Sequence, residues 1–145
     1  MLIDSSLEMG DATAFTTAVE TAKQGSAINL RTLIADNATI DLSAGEPLYV
    51  VIELTAAVIS DGSATMNLQL TTANEALSGT PVNIWETGAE AKADLPLGKR
   101  WLINMPEADY KAWLGLKTTV GTAVLTGGSF SAYITKDVPN WTGTA

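Results

Sequence analysis

Apolar and polar positions alternate with a period of two along much of the chain, and the longest apolar run, SAGEPLYVVIELTAA at residues 43–57, organises the rest. Read as a strand, it places Leu48, Val50, Ile52, Leu54 and Ala56 on one face and Tyr49, Val51, Glu53 and Thr55 on the other. The first face is wholly apolar and the second is mixed, the pattern of a central strand whose inner face meets a partner sheet. β-Branched Val50, Val51 and Ile52 disfavour a helix, and Ser43, Gly45 and Pro47 form a turn that leads into a strand.

Beyond this run, Ser60, Asp61 and Gly62 predict a hairpin turn, and ATMNLQLTT at 64–72 alternates strictly, with Met66, Leu68 and Leu70 against Thr65, Asn67, Gln69 and Thr71. Residues 82–87 predict a shorter strand that turns Trp85 away from Val82 and Ile84 and onto a face with Asn83 and Thr87. Further strands are predicted at 99–105, within 110–120 and at 129–135, punctuated by Pro106, Gly121 and the Gly127, Gly128 pair. Upstream, residues 28–34 read as a short strand and 39–42 as a connector. A turn of helix fits 19–23 ahead of Gly25, and 89–94 is the other helix-compatible stretch, too short to found a helical layer.

Residues 1–17 scatter Leu2, Ile3, Leu7, Met9 and Phe15 without a clear period, so they predict an N-terminal arm or an edge strand, with the composition of an arm that serves attachment more than folding. Residues 136–145 form a polar C-terminal tail. Roughly seven or eight short strands with regular turn signals and almost no helix predict one all-β domain over residues 1–145, an antiparallel β-sandwich of jelly-roll type with an extended N-terminal arm.

Charge narrows the partners. The chain carries 16 acids and 8 bases, a net charge of −8, which argues against nucleic acid, since phosphate binding needs clustered Lys and Arg. Residues 1–63 hold nine of the acids and two of the bases, so the later half is close to neutral and carries the basic positions Lys99, Arg100, Lys111 and Lys117. The opening MLIDSSLEMGDATAFT has no basic region or continuous apolar core of a targeting signal, and the longest apolar run is too short to span a bilayer, so no membrane association is expected.

The chemistry available is narrow. The chain has no His and no Cys, which removes Ser-His-Asp triads, thiol nucleophiles and His or Cys zinc sites. A carboxylate pair of Glu53 and Glu86 is the remaining catalytic option, and strand carboxylates ordinarily face solvent. The stretch ending in Gly98 and Lys99 lacks the first Gly and the closing Ser or Thr of a phosphate loop, and no calcium-loop pattern occurs. No enzyme activity, metal or cofactor is therefore expected. The aromatic residues are more suggestive: Trp113 shares a strand face with Lys111, Gly115 and Lys117, Trp101 follows Lys99 and Arg100, and Trp141 lies in the polar tail. Exposed Trp suits a docking anchor or, as an alternative, the stacking platform of a carbohydrate-binding β-sandwich using Trp85 or Trp113.

Four stretches, in order, carry a family resemblance: MLIDSSLEMGDATAFT, SAGEPLYVVIEL, ATMNLQLTT and WLGLKTTVGT. Together the chain resembles the jelly-roll capsid cement, or decoration, proteins of tailed bacteriophages, of the short-tailed Bordetella phage type. The resemblance implies a structural, non-catalytic protein on the outer surface of the virion, made in the host bacterial cytoplasm. Such a protein bridges neighbouring copies of the major capsid protein and stabilises the expanded shell. It implies self-association, with a homodimer at local two-fold sites ahead of a trimer. On this reading the candidate contact residues are Leu2, Ile3, Leu7, Trp85, Lys99, Arg100, Lys111, Trp113, Lys117 and Trp141, with the four basic residues meeting capsid carboxylates.

Overall fold

The computed structural model of the chain describes residues 8–15, 21–29, 49–74, 81–104 and 111–135. They form β1 (Glu8–Ala14), β2 (Thr21–Asn29), β3 (Tyr49–Ile59), β4 (Thr65–Ala73), β5 (Val82–Glu86), β6 (Glu90–Ala91), β7 (Arg100–Asn104), β8 (Trp113–Gly121) and β9 (Gly127–Thr135). A 3-10 turn, Lys92–Asp94, follows β6 where the sequence is compatible with a short helix.

Every pairing is antiparallel, and the strands divide between a sheet ordered β1-β9-β3-β7 and a sheet ordered β2-β8-β4-β5, with β6 also pairing β4. With the two-residue β6 set aside, the pairs are β1 with β9, β2 with β8, β3 with β7 and β4 with β5, falling in the two sheets by turns. The chain is thus one long hairpin rolled across two layers, which is the jelly roll that the strand count predicted.

The core lies between the layers. On β3, Val50, Ile52 and Leu54 are fully buried; on β4, so are Met66, Leu68 and Leu70; Leu114 and Leu116 join them from β8 and Phe130 from β9. The face assignment of the organising strand therefore holds from Val50 to Leu54; a break in register between Leu54 and Ala56 ends it, so Ala56 does not join the core, and Leu48 lies outside the described residues. Burying a side chain of this size contributes roughly 1.5–3 kcal/mol, so these two facing rows supply the main drive for the sandwich.

Two local expectations are corrected, and one pair of alternatives is decided. Residues 60–62 do not form a hairpin, because β3 and β4 belong to different sheets; the turn carries the chain across the sandwich. There the Ser60 hydroxyl donates to the Val124 carbonyl (2.6 Å) and accepts the Gly62 N–H (3.1 Å), tying this corner to the β8–β9 connection. Residues 21–23 are strand and not helix, because β2 pairs with β8 from Thr21, and Gly25, at φ +64°, takes up a break in register between Gln24 and Ile28. Finally, residues 8–15 belong to the domain itself: β1 is an edge strand, Met9 and Phe15 are buried in the core, and the Phe15 N–H bonds the Gly128 carbonyl at 3.1 Å. Of the alternatives for residues 1–17, the edge strand holds for Glu8–Ala14.

Candidate docking surfaces

Paired residues share a face, so the register builds the two outer surfaces. On the outside of the first sheet, β1, β9, β3 and β7 contribute the row Glu8, Tyr133, Val51, Leu102. Val51 is fully buried although it points away from the core, Tyr133 is 8% exposed beside it, and Tyr49 packs against both. The row ends at the sheet edge in Leu102, 52% exposed. The next row along holds Ser131, Glu53 and Arg100, with the Arg100 guanidinium 3.3 Å from the Glu53 carboxylate. Burial raises the pKa of Tyr133 above the usual phenol value, with the nearby Arg100 opposing and Glu53 reinforcing the shift.

The outside of the second sheet is polar. Trp113, Gly115, Lys117 and Thr119 on β8 lie in register with Ala73, Thr71, Gln69 and Asn67 on β4. Glu86 on β5 accepts hydrogen bonds from Asn67 Nδ2 (3.1 Å) and Gln69 Nε2 (3.4 Å), which fixes a cross-strand row of Lys117, Gln69 and Glu86. Thr71 and Gly115 are both buried, and the Thr71 hydroxyl donates to the Gly115 carbonyl at 3.2 Å. Trp113 is half-buried at one end of this face. Lys111 precedes β8, so strand parity does not carry it onto Trp113's face; its N–H is held by the Thr72 hydroxyl at 2.8 Å. Neither Lys111 nor Lys117 has a carboxylate partner among the described residues.

The other sequence-predicted contacts are placed differently. Trp85 lies opposite Leu70 whereas Asn83 lies opposite Thr71, because a one-residue bulge at Ile84 reverses the parity of β5. Trp85 therefore packs against the core and does not share an outer face with Asn83. Trp101 pairs with Ile52 and likewise packs against the core from the edge strand β7. Lys99 is engaged within the fold: its ammonium donates to Glu90 Oε2 (2.9 Å) and the Asp94 carbonyl (2.8 Å) and lies 5.2 Å from the centroid of the Trp101 ring. With Lys99 and Arg100 each set against an intramolecular carboxylate, the basic patch of four reduces to Lys111 and Lys117 as charges free to meet a partner. Leu2, Ile3, Leu7 and Trp141 lie outside the described residues.

Glu53 and Glu86 sit on opposite sheets, so they do not form the carboxylate pair that glycoside hydrolysis requires. The apolar cluster of Tyr49, Val51 and Tyr133 was not singled out from the sequence. Its only signal there is the mixed outer face of β3, because its members come together through register between distant strands. The exposed aliphatic residues Ile59, at the end of β3, and Leu97 and Val124, on connections between strands, also carried no signal in the sequence.

These surfaces offer a partner a half-buried Trp113 and, four strand positions along the same face, an unpartnered Lys117 on one side, and the exposed Leu102 at the sheet edge on the other. No curated protein matches the chain. Among the described residues, no helix is long and apolar enough to cross a membrane. A model of the Bbp16 family, which takes its name from a Bordetella phage protein, matches residues 9–134. That match spans the jelly roll from β1 almost to the end of β9, and the chain belongs to the Bbp16 family of phage-related proteins.

Proposed function

We propose that the protein is a capsid cement protein, which attaches to the outer surface of a phage head, bridges neighbouring major capsid subunits and stabilises the expanded shell. The observation that carries this reading is the match of a phage family to nearly the whole jelly roll. The surfaces fit the role: Trp113 and Lys117 lie on the outside of one sheet, and exposed Leu102, at the end of the buried Tyr133 and Val51 row, lies on the outside of the other. A body with docking groups on two faces can span two subunits, and contacts that are weak singly become strong when geometry lets them engage together. The protein acts in this role as a structural component of the virion, without catalysis or cofactor, with the major capsid protein and a second copy of itself as partners.

Cosedimentation with expanded heads stripped of the protein tests the proposal. Binding should saturate at a fixed copy number per head. Failure to bind such heads, together with retention on a glycan column, would favour the carbohydrate-binding reading, for which Trp113 would have to supply the platform since Trp85 packs inward.

A further inference from the structure

The turn that carries the chain from β3 to β4 holds the one Asp-Gly pair in the sequence, Asp61–Gly62. Asp61, Gly62 and Ser63 are exposed in succession, and the Asp61 carboxylate has no ion-pair partner among the described residues. Ser60, buried just before them, is what fixes the turn. Its hydroxyl accepts the Gly62 N–H at 3.1 Å and donates to the Val124 carbonyl at 2.6 Å, and its own carbonyl accepts a hydrogen bond from the Lys92 ammonium. A serine oxygen that bonds the backbone two residues on is a local substitute for a regular turn. Behind the glycine the packing is tight, since a Cβ on Gly62 would lie 2.7 Å from the Ala123 side chain. The Asp-Gly pair is thus open to water on one side and restrained on the other by a single acceptor.

We propose that Asp61–Gly62 is a site of covalent self-modification, at which aspartate converts to isoaspartate through a succinimide, and that Ser60 holds the conversion in check. The Gly62 nitrogen attacks Cγ of the Asp61 carboxylic acid. The N–Cγ bond forms, the C–OH bond breaks, and the hydroxyl leaves with the amide proton as water. A second water opens the five-membered ring. Addition at Cγ restores Asp61, whereas addition at the Asp61 main-chain carbonyl leaves the backbone running through Cβ and Cγ; no oxidant, reductant or cofactor enters. Glycine favours ring closure because it has no Cβ to crowd the attacking nitrogen and its backbone turns freely. The ring nitrogen carries no hydrogen, so the bond from Gly62 to Ser60 must be lost as the ring closes, and the folded turn opposes the reaction. Isoaspartate adds one carbon to the main chain where Gly62 already packs against Ala123, which loosens the Ser60–Val124 tie across the sandwich. It also presents a free α-carboxylate to solvent, the group that an S-adenosylmethionine-dependent carboxyl methyltransferase accepts. The inference rests on this corner and does not depend on shell binding.

Ageing the full chain for weeks at neutral pH, folded in buffer and unfolded in guanidinium chloride, tests it, with peptide mapping by mass spectrometry and enzymatic carboxyl methylation as the readouts. Isoaspartate should accumulate at position 61 ahead of every other aspartate, and more slowly in the folded chain than in the unfolded one. Ser60→Ala removes the restraining acceptor and should convert about 2- to 10-fold faster than the wild type in buffer, the factor that one net hydrogen bond supplies. Asp61→Glu, whose ring would need six members, should stay unmodified at this position. The converted protein, separated from the unconverted by chromatography, should melt at a lower temperature. If Ser60→Ala disturbs folding, the comparison of folded with unfolded wild type carries the test alone. A folded wild type with no isoaspartate at position 61 once the unfolded sample has reached its plateau overturns the inference. Conversion at one rate in the folded and unfolded chains also overturns it, since Ser60 would then restrain nothing.

Discussion

Phe15 and Phe130 stack with ring centroids 4.8 Å apart and planes at 26°, joining the end of the N-terminal edge strand to the strand that runs through the middle of its sheet. Phe130 is completely buried and Phe15 nearly so. The N-terminal region is thereby committed to the core through its last residues, whatever the segment before Glu8 contributes to attachment. Truncating Phe15 to Ala removes a buried aromatic ring and leaves a cavity, at a cost of about 3–5 kcal/mol. Against a typical total of about 5–15 kcal/mol that is a large share, and the melting temperature should fall by about 10 °C or more. Thermal unfolding followed by circular dichroism checks this; a fall of a degree or two would mean that β1 is dispensable.

Gly25 and Gly88 both have positive φ, at +64° and +77°, but their surroundings differ. A Cβ on Gly25 would lie 1.9 Å from the Met9 carbonyl oxygen, a backbone atom that cannot swing aside, whereas Gly88 has nothing within 4 Å. Gly88→Ala should therefore cost only the conformational term, about 1 kcal/mol, and Gly25→Ala should cost several times that through separation of β1 from β2. Urea unfolding of the two variants side by side is the check, and equal losses would contradict the close approach of the two strands.

The pH dependence at the alkaline end should carry the mark of Tyr133. Burial holds its hydroxyl protonated in the folded state beyond the unfolded pKa of about 10. The stability that this proton supplies is fully present below the unfolded value and is lost as pH rises through the folded one. Tyr133→Phe has no such proton to lose, so its urea midpoint should decline less than the wild type's above pH ~10. Parallel declines in the two proteins would remove Tyr133 as the cause.

Attachment to a capsid should depend on Lys111 and Lys117 more than on Lys99 and Arg100, because the last two already face Glu90 and Glu53. Lys111→Glu combined with Lys117→Glu should weaken binding to heads by about ten-fold or more and flatten its salt dependence, since an exposed ion pair contributes up to about 1 kcal/mol and each reversal adds repulsion. Folding should be nearly unchanged, as neither lysine has an intramolecular carboxylate among the described residues. Head binding across a salt series checks this, and unchanged affinity would transfer the attachment to the apolar surfaces.

The sequence revealed what depends on periodicity and little of what depends on pairing. Alternation on β3 and β4 identified Val50, Ile52, Leu54, Met66, Leu68 and Leu70 as core, because a half-buried strand must alternate wherever it lies. It did not reveal that Ser60 to Gly62 cross between sheets, since turn residues specify that the chain reverses and not which strand it joins next. The inward turn of Trp85 was hidden for a related reason: a single bulged residue at Ile84 inverts parity without any marker such as glycine. The apolar cluster around Val51 was harder still to see, since its neighbours Tyr133 and Leu102 are assigned by register alone. Lys99 read as a free cation because Glu90, nine residues earlier, gave no sign that the intervening turn would fold it back.

If the protein reinforces a phage head as proposed, heat-driven release of packaged DNA should report it. Heads lacking the protein and heads saturated with it would be warmed together, with release followed by the fluorescence of an external dye. Added contacts worth a few kcal/mol per subunit pair should raise the release temperature by several degrees, in proportion to occupancy. Saturated heads that release at the same temperature as bare ones would contradict a cementing role, even if the protein binds.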